Sequence, residues 1–322
     1  MTVPEKRKSA RLLDLKLPAT SANLGPAFDA AALAMDIYLR VEAVSADKFS
    51  IIAQGRDTGI CESLKNNLIV ETYREVLRAA GKQPQPVHLH IRNEIPIGKG
   101  CGSSAAARLA GIALAVRVGK LGWDDNRIIE EASRREGHPD NSAACWLGGV
   151  VVARMGTGPA SKLEAARINP AKSWPLLLAI ADQPFSTEKA RRVLPQQYPR
   201  ADAVANVQNA MLLLAGLVQG SNELLAATLN DRIHEPYRGP LCSLLPVLRE
   251  LAPRDGILGV ALSGAGPSVL MFLNTRSSAE KIKKLVAAHL RKRNLSAELL
   301  LTSISDHGAT QSFRSAALSE RS

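Results

Sequence analysis

Residues 96–106, Pro-Ile-Gly-Lys-Gly-Cys-Gly-Ser-Ser-Ala-Ala, form a glycine-rich bend running straight into an alanine-rich helix, with two hydroxyls at the junction. A helix start leaves backbone N–H groups unpaired and carries the positive end of the macrodipole, a combination that favours an anion. Gly98, Gly100 and Gly102 lack a Cβ, so a phosphate chain can lie on their main-chain donors. Ser103 and Ser104 are placed to cap the helix, and one hydroxyl there also suits a magnesium ion. A Walker loop needs Gly-Lys followed at once by Ser or Thr, whereas Gly100 follows Lys99. A dinucleotide fingerprint needs G-x-G-x-x-G, and this bend reads G-x-G-x-G. The segment therefore reads as a nucleoside triphosphate site in a different frame, with a plain serine-capped turn as the alternative.

At 322 residues the chain exceeds the size at which one core usually stops growing, so two domains in close contact are expected. The net charge of +11 raises the question of nucleic acid. Apart from a tail (Lys6, Arg7, Lys8, Arg11) and a late helix (Lys281 to Arg293), the basic residues are scattered, and no aromatics interleave with them to stack bases. Solvated helix faces and an anionic small substrate account for the charge better, so no nucleic-acid partner is expected. Cysteines 61, 101, 145 and 242 include no close pair for a zinc knuckle and suit reduced thiols. Cys101 lies inside the bend, where a helix start would lower its pKa, although small apolar packing is the commoner role. No apolar stretch approaches the roughly 20 residues needed to cross a membrane, and the N-terminus lacks a signal peptide's hydrophobic segment. A soluble cytoplasmic protein without a membrane partner is the expectation.

Periodicity gives strands at Leu12–Leu17, Leu33–Ala43, Phe49–Ala53, Val87–Ile91 and Leu147–Ala153, with a turn-rich stretch over 18–26. Helices are expected from Asn67 to Ala80, from Ala105 to Val118, and from Asp124-Asp125 to Arg135. Residues 162–173 read as the junction between halves. Beyond it come strands at Leu176–Ala181, Ile257–Leu262, Ser268–Leu273 and Ala297–Ile304, and helices at Ala201–Gln219, Asn222–Leu229 and Ser277–Arg293. The pattern is that of an α+β protein of two joined domains. His88 and His90 would share one strand face, and without a third ligand that face reads as polar surface.

Other residues offer chemistry. Asn23, Gly25, Pro26 and Asp29 cluster in the first irregular segment; Asp29 would pair with a substrate cation and Asn23 would read a polar head, unless both merely order the local backbone. Glu130 either pairs with Arg134 at i,i+4 or turns inward as a carboxylate for magnesium beside Ser104. Glu136-Gly137-His138-Pro139-Asp140-Asn141 is too rich in polar residues for a simple turn and reads as functional. Thr187 with Arg191, and Arg238, supply a hydroxyl and two guanidinium groups, the latter able to hold a carboxylate or phosphate bidentately. Ser263-Gly264-Ala265-Gly266-Pro267-Ser268 is a second glycine loop, which favours a shared ligand site.

Taken together, these segments resemble the GHMP kinases, whose three motifs occur here in order as Pro18–Asp29, Pro96–Ala106 and Ser263–Ser268. The segments Pro18–Pro26 and Gly137–Asn141 are most similar to members acting on homoserine. The resemblance implies a two-domain GHMP kinase fold: a ribosomal S5 domain 2-like N-terminal domain over 11–165 and a ferredoxin-like C-terminal domain over 170–310. It implies ATP between them, with Asn67 near the adenosine, and Pro96, Gly98, Lys99, Gly100, Cys101, Gly102, Ser103, Ser104, Gly264 and Gly266 around the nucleotide. Mg²⁺ would be held by Ser104 and Glu130. Asn23, Asp29, Asn141, Thr187, Arg191 and Arg238 would surround L-homoserine, with Asn141, His138, Asp140 and Arg191 as the catalytic group. Another small alcohol as acceptor, or a sensor that binds ATP without turnover, are the alternatives; a homodimer is usual for the family. Ala27 stands where the family usually has glycine, which would be strained by about 1–2 kcal/mol if that position required a positive φ.

Overall fold

A computed structural model of the protein describes residues 11–156, 162–184 and 187–319. The first strand continues past Leu17: β1 spans Arg11–Asn23 and pairs antiparallel with β2, Ala27–Ser45. The expected turn over 18–26 thus shrinks to Leu24–Pro26. Pro18 is tolerated because the register shifts between Pro18 and Ala19, where its missing N–H breaks no regular ladder. From Leu17 to Asn23 every residue is buried, so alternation fades and the strand reads from sequence as irregular. Ala27 is not among the positive-φ residues; the left-handed backbone of this segment falls on Asn23, Leu24, Gly25 and Asp29, the last at φ 53°, and no penalty attaches to the alanine.

The remaining strands of this sheet are β3 (Ser50–Gly55), β4 (Val87–Asn93), β5 (Val150–Met155) and β6 (Leu163–Ile168). They run β3-β4-β2-β5-β6, with β1 on the free edge of β2 and only β3-β4 parallel. β6 corrects the expectation of a junction over 162–173. The helices are α1 (Thr58–Glu62), α2 (Leu68–Ala79), α3 (Ser103–Gly119), α4 (Asp125–Glu136) and α5 (Asp140–Leu147). Leu147, expected to begin a strand, instead ends α5, and the strand starts at Val150. Helix α3 is buried on all sides from Leu109 to Val116, which its alanines and glycine permit. His88 and His90 do share a face, with ring centroids 4.4 Å apart and Ser50 Oγ 2.6 Å from His88 Nδ1.

The second sheet contains β7 (Pro175–Ile180), β8 (Ile257–Leu262), β9 (Val269–Leu273) and β10 (Glu298–Ser303), all antiparallel in the order β10-β7-β9-β8. That order, with α11 (Ala279–Lys292) between β9 and β10, is the expected ferredoxin-like arrangement. Between β7 and β8 lie α6 (Thr187–Arg192), α7 (Arg200–Gln219), α8 (Asn222–Thr228), α9 (Glu235–Arg238), a 3₁₀ turn (Gly239–Leu241) and α10 (Leu244–Arg249). One apolar core fills the first half and continues into the second through Trp174, Leu217 and Phe272. The final helix, α12 (Ala309–Ser319), returns to the first sheet and packs on β1. One expectation fails: α7 is long and apolar enough, by length and composition, to cross a membrane. It packs against α8 through its buried Leu213, Gly216 and Leu217, and exposes Val204, Val207, Met211 and Val218.

Candidate active site

The three motifs converge on the glycine bend. Gly98, Gly100 and Gly102 have φ of 70°, 78° and 70°, in the left-handed region. A Cβ on Gly100 would lie 2.2 Å from the Ser263 carbonyl and 2.8 Å from that of Gly266; one on Gly102 would lie 1.9 Å from Thr20 Oγ1. These are sites of close approach, so the bend tolerates no side chain there. Ser263 Oγ donates to the Gly100 carbonyl at 2.8 Å, Thr20 N–H donates to the Cys101 carbonyl at 3.1 Å, and Gly264 N–H donates to the Ala22 carbonyl at 3.1 Å. Gly264 lines the cleft, while Gly266 supports Gly100 from its carbonyl side.

The helix cap is Gly102, not a serine, and no side chain caps the first turn of α3. Ser103 Oγ instead accepts from Gly98 N–H at 3.4 Å, and Ser104 Oγ donates to Glu136 Oε1 at 2.6 Å. Lys99 Nζ reaches the Asp182 carbonyl at 3.0 Å. Burial pushes the Cys101 thiol up to about 12, so the reactive reading of that cysteine is overturned and its apolar packing stands. Pro96 is buried ahead of the bend. Beside it opens an apolar pocket of about 260 Å³ lined by Asn67, Ile69, Ile95 and Ser104 among others. Asn67 caps α2, accepting from Ile69 and Val70, and anchors the chain by donating to the Cys61 carbonyl at 3.0 Å.

On the other side of the bend, a cleft of about 110 Å³ gathers Asn23, Asp29, His138, Asn141, Arg191 and Arg238. Asn23 Nδ2 donates to the Gly264 carbonyl at 2.7 Å, and its Oδ1 accepts the Asp29 N–H at 3.0 Å, which stabilises the left-handed backbone at Asp29. Asp29 and Arg191 pair bidentately at 2.8 and 2.9 Å. That pairing raises the Arg191 pKa, mainly through the hydrogen bond to Asp29. His138 Nδ1 lies 2.6 Å from Asp140 Oδ1, which also accepts the Asn141 N–H at 2.6 Å. The His138 pKa is raised: its burial disfavours the charge, but the hydrogen bond and charge of Asp140 outweigh that. Asn141 Oδ1 accepts from Thr20 Oγ1 at 2.6 Å. Arg238, 2% exposed, donates Nε to the Ala190 carbonyl at 3.1 Å and lies over the Phe28 ring. The Thr187 side chain lies outside the described residues.

The carboxylate beside Ser104 is a correction. Glu130 pairs with Arg127 at 3.1 Å and Arg134 at 2.6 Å, the exposed i,i+4 alternative. Glu136 takes its place, held also by Arg108 Nε at 2.6 Å. A carboxylate in the last turn of a helix opposes the macrodipole, and that was the sequence signal available for it. Sequence reasoning also passed over Thr20, Phe28 and His234. Phe28 stacks on His234 with centroids 5.2 Å apart, and His234 Nε2 donates to the Gly25 carbonyl at 2.9 Å.

The arrangement has the parts for phosphoryl transfer: a backbone anion cradle, an adjacent pair of hard oxygen donors, and a polar cleft with both charge signs. Comparison with known proteins agrees. Residues 67–149 match the model of the GHMP kinases N terminal domain, and residues 213–292 that of the GHMP kinases C terminal domain. A homoserine kinase from Solibacter usitatus is 44% identical, over 91% of this chain and 95% of the relative. One from Deinococcus radiodurans is 34% identical, over 90% and 94%. The crystal structure of homoserine kinase from Cytophaga hutchinsonii shares the fold, with a TM-score of 0.78 and 24% identity over 96% of this chain and 98% of that one. The two-domain architecture, the bend and this likeness over nearly the whole length place the chain in the GHMP kinase family, among its homoserine kinases.

Proposed function

We propose that the protein transfers the γ-phosphoryl group of ATP to the side-chain hydroxyl of L-homoserine, giving ADP and O-phospho-L-homoserine for threonine synthesis. The observation that carries the acceptor is the pairing of Asp29 and Arg191 within the cleft beside the glycine bend. Homoserine is a zwitterion, and its ammonium needs a carboxylate while its carboxylate needs a guanidinium. The polyphosphate lies on the N–H groups of Gly98–Ser104, and adenosine in the apolar pocket by Asn67. Ser104 and Glu136 are hard oxygen donors in contact, and they fit Mg²⁺, which supplies charge neutralisation at the phosphates when bound. Asn141, His138 and Asp140 orient the acceptor hydroxyl; transfer rests on positioning and charge, so no strong base is required. A coupled assay with ATP across homoserine, threonine, mevalonate and other small alcohols tests the reading. Homoserine turning over best is expected, and homoserine failing where another alcohol works overturns it.

The enzyme acts as a cytoplasmic homodimer in this reading. The exposed stripe Val204, Val207, Met211 and Val218 on α7 fits a second copy laid antiparallel across a two-fold axis.

A further inference from the structure

Glu235 is a carboxylate buried to 1% exposure that takes no part in the chemistry above. It opens α9, whose N-terminus is fixed by Asp231: one carboxylate oxygen accepts the N–H groups of His234 at 2.7 Å and Glu235 at 2.6 Å. The Glu235 side chain then bridges two elements. Oε1 accepts the Leu262 N–H at 2.6 Å, and Oε2 pairs with Arg249 of α10. Leu262 ends β8, which lies at the edge of its sheet, so this buried donor has no neighbouring strand to satisfy it.

The residues after Leu262 give this contact its consequence. Ser263 comes first, and its hydroxyl and carbonyl both press on Gly100, as does the Gly266 carbonyl of the same loop. Gly264 then joins Ala22 and Asn23 of the first motif. We propose that Glu235 is a positioning residue for the nucleotide: by tying the Leu262 amide to Arg249, its carboxylate keeps the Ser263–Ser268 loop seated on Gly100 and so holds the phosphate bend in its binding shape. The proposal rests on the ATP reading above and adds a residue to it that touches no ligand.

The brace is pH-sensitive. Burial pushes the Glu235 carboxyl up to about 7, against the opposing pull of Arg249 and the Leu262 amide, while Asp231 adds to the rise. The groups facing it are Arg249 from α10, Asp231 before α9 and Cys242 after the 3₁₀ turn; β8 and β9 contain only apolar residues. Protonation abolishes the ion pair and weakens the acceptor.

The test is the dissociation constant of MgATP, measured by calorimetry from pH 6 to 8.5. Binding by the unmodified protein is expected to weaken about tenfold towards pH 6, as for loss of one charge-assisted hydrogen bond. Glu235→Gln should sit near the weak value at every pH, with kcat at saturating ATP within about twofold of normal. Arg249→Met should move the midpoint to higher pH, and it decides the matter if Glu235→Gln fails to melt cooperatively. Glu235→Gln binding as tightly as the unmodified protein with the same pH limb, or an unmoved midpoint in Arg249→Met, overturns the proposal. No binding of ATP by the unmodified protein at any pH would instead overturn the nucleotide reading itself.

Discussion

Arg191 holds Asp29 through two parallel hydrogen bonds, Nη1 to Oδ2 at 2.9 Å and Nη2 to Oδ1 at 2.8 Å. The two groups assigned to opposite charges of the acceptor thus neutralise each other, and an incoming zwitterion replaces both halves of the pair at once. A molecule with one charge separates the pair and leaves a partner unmet. We expect 3-aminopropan-1-ol and 4-hydroxybutanoate each to lose at least about 100-fold in kcat/KM relative to homoserine. In Arg191→Met the penalty for omitting the carboxylate should shrink, while that for omitting the ammonium persists. Equal penalties in both proteins would remove Arg191 from acceptor recognition.

The corrected carboxylate gives a paired prediction. Glu136→Gln should lower kcat by about 100-fold or more and raise the magnesium concentration needed for half-maximal rate. Glu130→Gln removes only helix-surface pairs with Arg127 and Arg134, for a stability loss of about 0.5 kcal/mol or less and near-normal turnover. Rates measured across a magnesium series check both.

His234 should govern part of the acid limb of stability. Its Nε2–H points at the Gly25 carbonyl and its Nδ1 accepts from Arg238 Nη1 at 3.3 Å, which fits the neutral ring. Burial lowers its pKa from 6.5 to about 4, with the Arg238 charge acting the same way. A base with a depressed folded pKa contributes stability that is present above pH 6.5 and lost as pH falls towards 4. The term is on the order of 3 kcal/mol at most. Denaturant melts from pH 7 to 4 should show a shallower acid slope in His234→Gln than in the unmodified protein.

Met211, 65% exposed, sits in the middle of the α7 stripe. Met211→Glu would set two carboxylates against each other across a two-fold pairing, and light scattering is expected to report monomers at concentrations where the unmodified protein is dimeric. Dimers of unchanged strength would place the interface elsewhere.

How much of this was legible in the sequence depended on how local each requirement is. The bend declared itself because Gly98, Gly100 and Gly102 answer to their own backbone angles and to close neighbours. Three strands of the second sheet, β7, β8 and β9, followed from short, wholly apolar runs. Glu136 was missed because α4 carries acidic residues at 125, 130, 131 and 136, and only the fold decides which of them reaches Ser104, 32 positions before Glu136. Ser103 and Ser104 fit the composition of a cap, yet the left-handed Gly102 takes that place and frees both hydroxyls for other partners. Strand β1 beyond Leu17 and the helix α5 were obscured for a common reason: full burial erases the alternation by which elements are recognised.

The return of α12 to the first sheet ties the last part of the chain to the earliest. Phe313 packs on Trp146 with ring centroids 5.3 Å apart, Ser312 Oγ accepts the Lys16 N–H at 3.1 Å, and Thr310 Oγ1 reaches Asp125 at 3.1 Å. During synthesis the N-terminal half therefore leaves the ribosome without one wall of its own interior, and completes its packing only when the closing helix emerges. Separately produced halves would inherit that gap, so the two lobes are lobes of a single folding unit.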